Sequence, residues 1–144
     1  MTKPRYPENH PQTIYPQHDC ITETGTIETT TLSSNCDDCL LWYDMPILFV
    51  GNWNGARRMF QVIDEGQPGQ LYEEATMRMS VSTPTQAQID AVINNTLPLR
   101  DAILSGELFM LETAFSDYNV LRAWKMTTFD ECDLPKQGIY LAPT

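Results

Sequence analysis

Histidine is nearly absent from this chain. It occurs only at His10 and His18, so everything from residue 19 onward has to work without an imidazole. A Ser/His/Asp or Cys/His arrangement would need the first twenty residues to fold back into a cleft. A glycine-rich phosphate loop and a G-x-S-x-G elbow are missing as well. Cations are scarce: nine Lys and Arg stand against nineteen Asp and Glu, a formal net charge of −10. That sign is wrong for neutralising phosphates or anionic lipid, which argues against nucleic acid or a membrane surface as partner. The carboxylates come as scattered pairs (Asp37-Asp38, Asp64-Glu65, Glu73-Glu74, Asp130-Glu131) and not as blocks, a pattern of solvated surface more than of a nucleic-acid mimic. Long apolar runs are lacking too. The longest, Met45 to Val50, is interrupted by Pro46 and falls far short of the ~20 residues of a membrane span. With no basic-then-apolar opening segment, a cytoplasmic location is expected.

What is there suits one globular unit. A chain of 144 residues, 42% apolar with aromatics spread along it, is long enough to bury a single core unaided. Four cysteines, Cys20, Cys36, Cys39 and Cys132, are then read as reduced thiols. The first twenty residues carry Pro4, Pro7, Pro11 and Pro16; fixed φ and missing amide donors make this stretch an extended arm. Tyr6, Ile14 and Tyr15 give the arm something to bury. Ile21 to Leu32, rich in Thr around Gly25, reads as an exposed hairpin or an ordered loop.

From Leu40 the signals sharpen. Pro46 to Trp53, then Asn54-Gly55, then Ala56 to Ile63 is a hairpin, because both central residues of a type I′ turn need φ > 0. Ala75, Met77, Met79 and Val81 alternate with Thr76, Arg78, Ser80 and Ser82, as in a half-buried strand. Thr83-Pro84-Thr85-Gln86 reads as a capping box that opens a helix running from Pro84 to Thr96, with Pro98 ending it and a short helix from Leu99 to Ser105 stopped by Gly106. Leu108 to Thr113 and Val120 to Met126 are read as two strands around the turn formers Ser116 to Asn119, with a helical C-terminal half as the competing reading. Ile139, Tyr140 and Leu141 should dock at the end of the chain. The sum is an α+β domain over residues 40–144: an antiparallel sheet of about five strands, one or two helices on one face, and a separate segment 1–39 holding the arm.

The order of landmarks then resembles a bacterial domain family of unknown function. The residues that carry the likeness are Tyr43-Asp44-Met45-Pro46 leading into Leu48-Phe49, the helix Leu99-Arg100-Asp101-Ala102, and Leu134-Pro135 through Gly138-Ile139-Tyr140-Leu141. They cover about residues 40–141. Met45 stands where the family has Gly, and Lys136-Gln137 replaces the usual residue and second proline of the tail. The resemblance implies a fold and transfers no catalytic residues.

Three constellations could carry chemistry. His18, Cys20, Cys36 and Cys39 supply one nitrogen and three sulfurs, a set able to close a tetrahedral zinc site. Arg57 and Arg58, on opposite faces of the second hairpin strand, could meet a carboxylate or phosphate; with Asp64, Glu65 or Asp101 they are the core of an enzymatic alternative. Trp53, beside the turn, is expected to be exposed and to be a contact residue. Together these favour a non-catalytic protein-interaction module of an accessory, regulatory or immunity type, whose partner is another protein or a second copy, contacted through Tyr6, Ile14, Tyr15, Trp53, Arg57 and Arg58. The alternatives are a small zinc-stabilised binding protein and a carboxylate/arginine enzyme. Deleting residues 1–16 tests the arm: lower thermal stability or a changed mass in light scattering is the expected result, and an unchanged protein with unchanged binding removes the arm from any account of function.

Overall fold

The computed structural model describes residues 20–21, 25–29, 39–42, 46–64, 76–114 and 118–142. Their strands are β1 (Cys20–Ile21), β2 (Cys39–Trp42), β3 (Pro46–Trp53), β4 (Ala56–Asp64), β5 (Thr76–Ser82), β6 (Leu108–Ala114) and β7 (Val120–Met126). Two helices, α1 (Gln86–Ile93) and α2 (Leu99–Ile103), fall between β5 and β6. The fold is therefore mainly antiparallel sheet with two helices, and the strand order is β1-β7-β6-β5-β4-β3-β2. Five of the seven strands coincide with those expected. The other two, β1 and β2, are only two and four residues long and lie on or at the border of the segment set apart as 1–39.

The β3–β4 turn is as its chemistry demands, with φ 50° at Asn54 and 79° at Gly55. The capping box lies two residues later than the sequence suggests: Thr85 is the N-cap, its hydroxyl accepting from the Gln88 amide while the Gln88 side chain accepts from the Thr85 amide. Thr83 is unavailable for that role. Its hydroxyl donates to the Glu107 carbonyl at 2.8 Å and accepts from Arg58 at 2.7 Å.

The sheet is not flat. β3 and β7 are separated in the ladder by three strands, a spacing of roughly 19 Å in a planar sheet. Yet the Phe49 ring stacks on Tyr118, just before β7, at 5.5 Å. Residues 25–29 join the two edges. The Val120 amide donates to the Gly25 carbonyl (2.8 Å) and Ile27 to Tyr118 (3.0 Å), while Glu28 and Asn52 exchange bonds of 2.9 and 2.8 Å. The Thr29 hydroxyl adds a bond to the Val50 carbonyl at 2.8 Å. Both contacts are antiparallel, so the sheet curls and this short stretch closes it into a barrel. The start of β7 meets the end of β3, which is the strand stagger that closure requires.

Closure gives the molecule two cores. Inside lie Ile27, Phe49, Trp53, Phe60, Met77, Met79, Val81, Phe109, Leu111, Tyr118, Val120 and Ala123, with Phe60, Phe49 and Tyr118 in one ring stack. Outside, Val50, Met59, Met110 and Trp124 pack under Ile89 and Val92 of α1 and Leu99, Ala102 and Ile103 of α2. Consequently β5, expected to be half-buried, is buried on both faces, with Ser80 at 2% and Ser82 at 1% exposure. Farther along the outer face, Glu112 accepts from Arg122 Nε at 2.6 Å, both side chains being buried. In register they continue a row of alternating formal charge, Asp64 beside Arg78 beside Glu112 beside Arg122. Breaking a buried pair of this kind by removing one partner costs about 3–5 kcal/mol.

Gly51 marks where the closing stretch passes β3. A Cβ there would sit 2.9 Å from the Glu28 carbonyl oxygen and 3.0 Å from Thr29 Cβ. Gly51→Ala is expected to lower stability by about 1–3 kcal/mol and to speed amide exchange at Ile27, Glu28 and Asn52 ahead of the β5 and β6 amides. Uniform acceleration over the whole barrel would mean that closure and sheet do not separate.

Candidate functional site

β3 and β4 pair from Trp53↔Ala56 to Leu48↔Gln61. Beyond that point they diverge, because β3 turns to β2 through Trp42↔Pro46 while β4 stays with β5, with a register shift between Val62 and Asp64. The gap is roofed by α2 and by residues 132–135. Two adjoining cavities result. One, about 110 Å³, is walled by Leu41, Ile47, Leu48, Val62, Leu99, Ile103 and Pro135, with Gln61 at its edge. The other, about 240 Å³ and more polar, is lined by Gln61, Val62, Ile63, Cys132, Asp133, Leu134 and Pro135. They share Gln61, Val62 and Pro135, so they form one cleft across β4.

Gln61 is held from the neighbouring strand. Ser80, on the neighbouring strand, donates its hydroxyl to Gln61 Oε1 at 3.1 Å. In this orientation the Nε2 donors have no partner among the described residues. The roof is fixed as firmly. Arg100 forks onto both carboxylate oxygens of Glu131, with Nη1 at 2.8 Å from Oε1, and donates to the Pro135 carbonyl at 3.1 Å. Leu99 donates its amide to Ile139 at 2.9 Å. Asn95 clamps the Ala142 backbone from both sides, at 3.1 and 3.0 Å. The helix motif around Arg100 and the C-terminal motif from Leu134 to Leu141 are thus two halves of one contact. The tail docks by its backbone and by Leu134 and Leu141, whereas Ile139 and Tyr140, expected to be buried, are 48% and 36% exposed.

The residues singled out from sequence fall elsewhere. Trp53 is 2% exposed inside the barrel, edge-on to Phe109, so it offers no contact surface. Arg58 is 2% exposed. Its guanidinium lies 4.7 Å from the Phe109 ring centre and donates to the Trp53 carbonyl, the Asn54 carbonyl and the Thr83 hydroxyl, with Glu107 at 3.5 Å. Burial lowers its pKa and Glu107 pushes it back up; it is a staple at the turn end of the barrel. Arg57 is exposed on the opposite face. Asp64 is six residues from Arg58 along β4, roughly 20 Å away, so these two do not meet; Asp101 is exposed on α2, and Glu65 lies outside the described residues. So do Tyr6, Ile14, Tyr15, His18 and Cys36. Cys20 pairs with Trp124 of β7 and Cys39 with Phe49 of β3, on either side of the closing stretch. From Trp124 to Asn119 and from Asn52 to Phe49 the strands run about 25 Å in total. With His18 and Cys36 outside the described residues, Cys20 and Cys39 are the two of the four expected ligands that the structure places.

The cleft was missed because its walls come from four places in the chain. The only sequence signal was the joint presence of the Arg100 and Leu134–Leu141 motifs, whose mutual contact builds its roof. Beside it, ligand atoms of Asp130, Cys132 and Asp133 lie within 4.8 Å of one another. These three donors, Asp130 and Cys132 exposed and Asp133 half-buried, are one short of a closed tetrahedral set. Comparison with family models, with curated proteins and with solved structures gives no match.

The Arg100–Glu131 fork makes the roof pH-sensitive. Hydrogen bonding to Arg100, helped by its charge, holds the Glu131 carboxyl below its usual range. Because the folded pKa is the lower one, the contribution is present above the unfolded value and is lost as pH falls through the folded value. An NMR titration of the Glu131 carboxylate carbon should show this depressed midpoint in the native chain. It should return to the ordinary carboxylate range in Arg100→Met.

Proposed function

We propose that this protein is a non-catalytic interaction module, an accessory, regulatory or immunity-type bacterial protein, and that it holds another protein through the cleft across β4. What supports the reading is the cleft itself. A cavity of about 110 Å³ lined mainly by aliphatic residues, smaller than the roughly 150 Å³ space that takes benzene, suits one branched aliphatic side chain. Next to it, an amide whose oxygen is already taken by Ser80 presents donors to a backbone carbonyl. Apolar walls with a few aimed polar groups are how recognition sites are built. A held roof means that little ordering is needed on binding, which favours affinity.

A photo-crosslinking residue placed at Ile47, in the cleft, and at Lys125, at the opposite pole of the barrel, tests this in native lysate. A discrete protein adduct is expected at Ile47 and not at Lys125. Leu41→Trp, which fills the apolar cavity from a half-buried position, should abolish it while far-UV circular dichroism stays unchanged. Equal labelling from both positions, or labelling that survives Leu41→Trp, contradicts a cleft-based interaction.

A further inference from the structure

We infer that the cleft takes an extended peptide segment in which an aliphatic residue is flanked by Lys or Arg. This rests on the interaction-module reading and adds the chemistry of the partner. The two halves of the cleft differ in kind. The smaller is aliphatic, walled by Ile47, Leu48, Leu99 and Ile103. The larger ends at Asp133 and Cys132, with Asp130 close by.

Charge at the polar end is one-sided. Glu131 is neutralised by Arg100. Asp130 and Asp133 are matched by no cation within hydrogen-bond reach among the described residues, and the single basic residue of 130–136 is Lys136, which is exposed. The whole chain adds a net charge of −10, a field that draws cationic segments to the surface and repels acidic ones. Between the two ends sits Gln61 Nε2, donor only, matched to a carbonyl oxygen of the ligand backbone. Beyond Leu48↔Gln61 β4 is no longer laddered to β3, so its Val62–Ile63 edge faces the cleft. An extended segment laid there could pair with that edge as an added strand does. Aliphatic pocket, backbone donor and carboxylates follow one another along β4, the order a short extended peptide would read.

The probes are three blocked tripeptides, acetyl-Lys-Leu-Arg-amide, acetyl-Glu-Leu-Glu-amide and acetyl-Lys-Ser-Arg-amide, titrated into the full ¹⁵N-labelled chain. The first is expected to shift the Gln61 side-chain amide and the Val62, Ile63 and Leu134 backbone signals. Both others should bind about tenfold more weakly or worse, one for want of charge and one for want of the leucine. Raising NaCl from about 50 to about 500 mM should weaken the first peptide and spare the second. Asp133→Asn should shrink the preference for the basic peptide over the acidic one, whereas Gln61→Met should weaken both and keep their ratio. Equal binding of the acidic peptide at the same signals overturns the basic specificity and leaves the cleft as an interaction site. Silence of these signals toward all three peptides overturns both. Shifts from the basic peptides scattered over the acidic surface, unaffected by Leu41→Trp, overturn the proposal in favour of unspecific attraction.

Discussion

The fold turns on five residues, 25–29, that hydrogen-bond to β7 on one side and to β3 on the other. Without them the sheet would have two open edges and an apolar face of aromatic and methionine side chains exposed to water. With them the edges meet and that face becomes the interior of a barrel, which removes both liabilities together. Ile27 is the plug, 4% exposed, and Gly51 is the gap that lets the closing backbone come close. Even the left-handed backbone of Tyr118 (φ 61°) belongs to this junction: its ring stacks on Phe49 while its carbonyl accepts from Ile27. A conformation that costs an L-residue of the order of 1 kcal/mol is offset by contacts from both sides of the seam.

Because the inside of the barrel is filled by its own side chains, the open space lies outside it. The helices cover one part of the outer face with aliphatic residues, and the C-terminal segment, clamped by Arg100 and Asn95, covers another. Where β3 leaves β4 for β2, neither cover closes completely, and the cleft is what remains. Its chemistry follows from its builders. The aliphatic end is the margin of the helix-covered core, and the acidic end is the short turn Glu131–Asp133, with Asp133 half-buried, drawn from an acidic sequence.

Much of the local structure was legible in the sequence because its causes are local. Asn54-Gly55 dictated the turn, alternation dictated β5 and the β6–β7 pair, and a threonine-rich entry with Gln three residues on dictated a capped α1. Which threonine caps was not local: Thr83 was already engaged by Arg58 and Glu107, both distant in sequence, so Thr85 took the role. Trp53 and Arg58 misled for a related reason. Turn-flanking positions are commonly exposed, but here the curl of the sheet folds the hairpin end over Phe109 and buries both.

The sequence by itself determined the acidic surface, the strand and helix content of residues 46–126 and the hairpin that starts the sheet. Each depends on near neighbours or on composition, which a linear reading contains. Only the tertiary structure decided that the sheet closes, that β5 is buried on both faces, and that Gln61, Ile103, Asp133 and Pro135 share one cleft. Those facts depend on which edges meet after the strands have twisted and curled. A polar five-residue stretch with one isoleucine carries no periodic signal of its own, so its role as the closing strand exists only once β3 and β7 have been brought to either side of it.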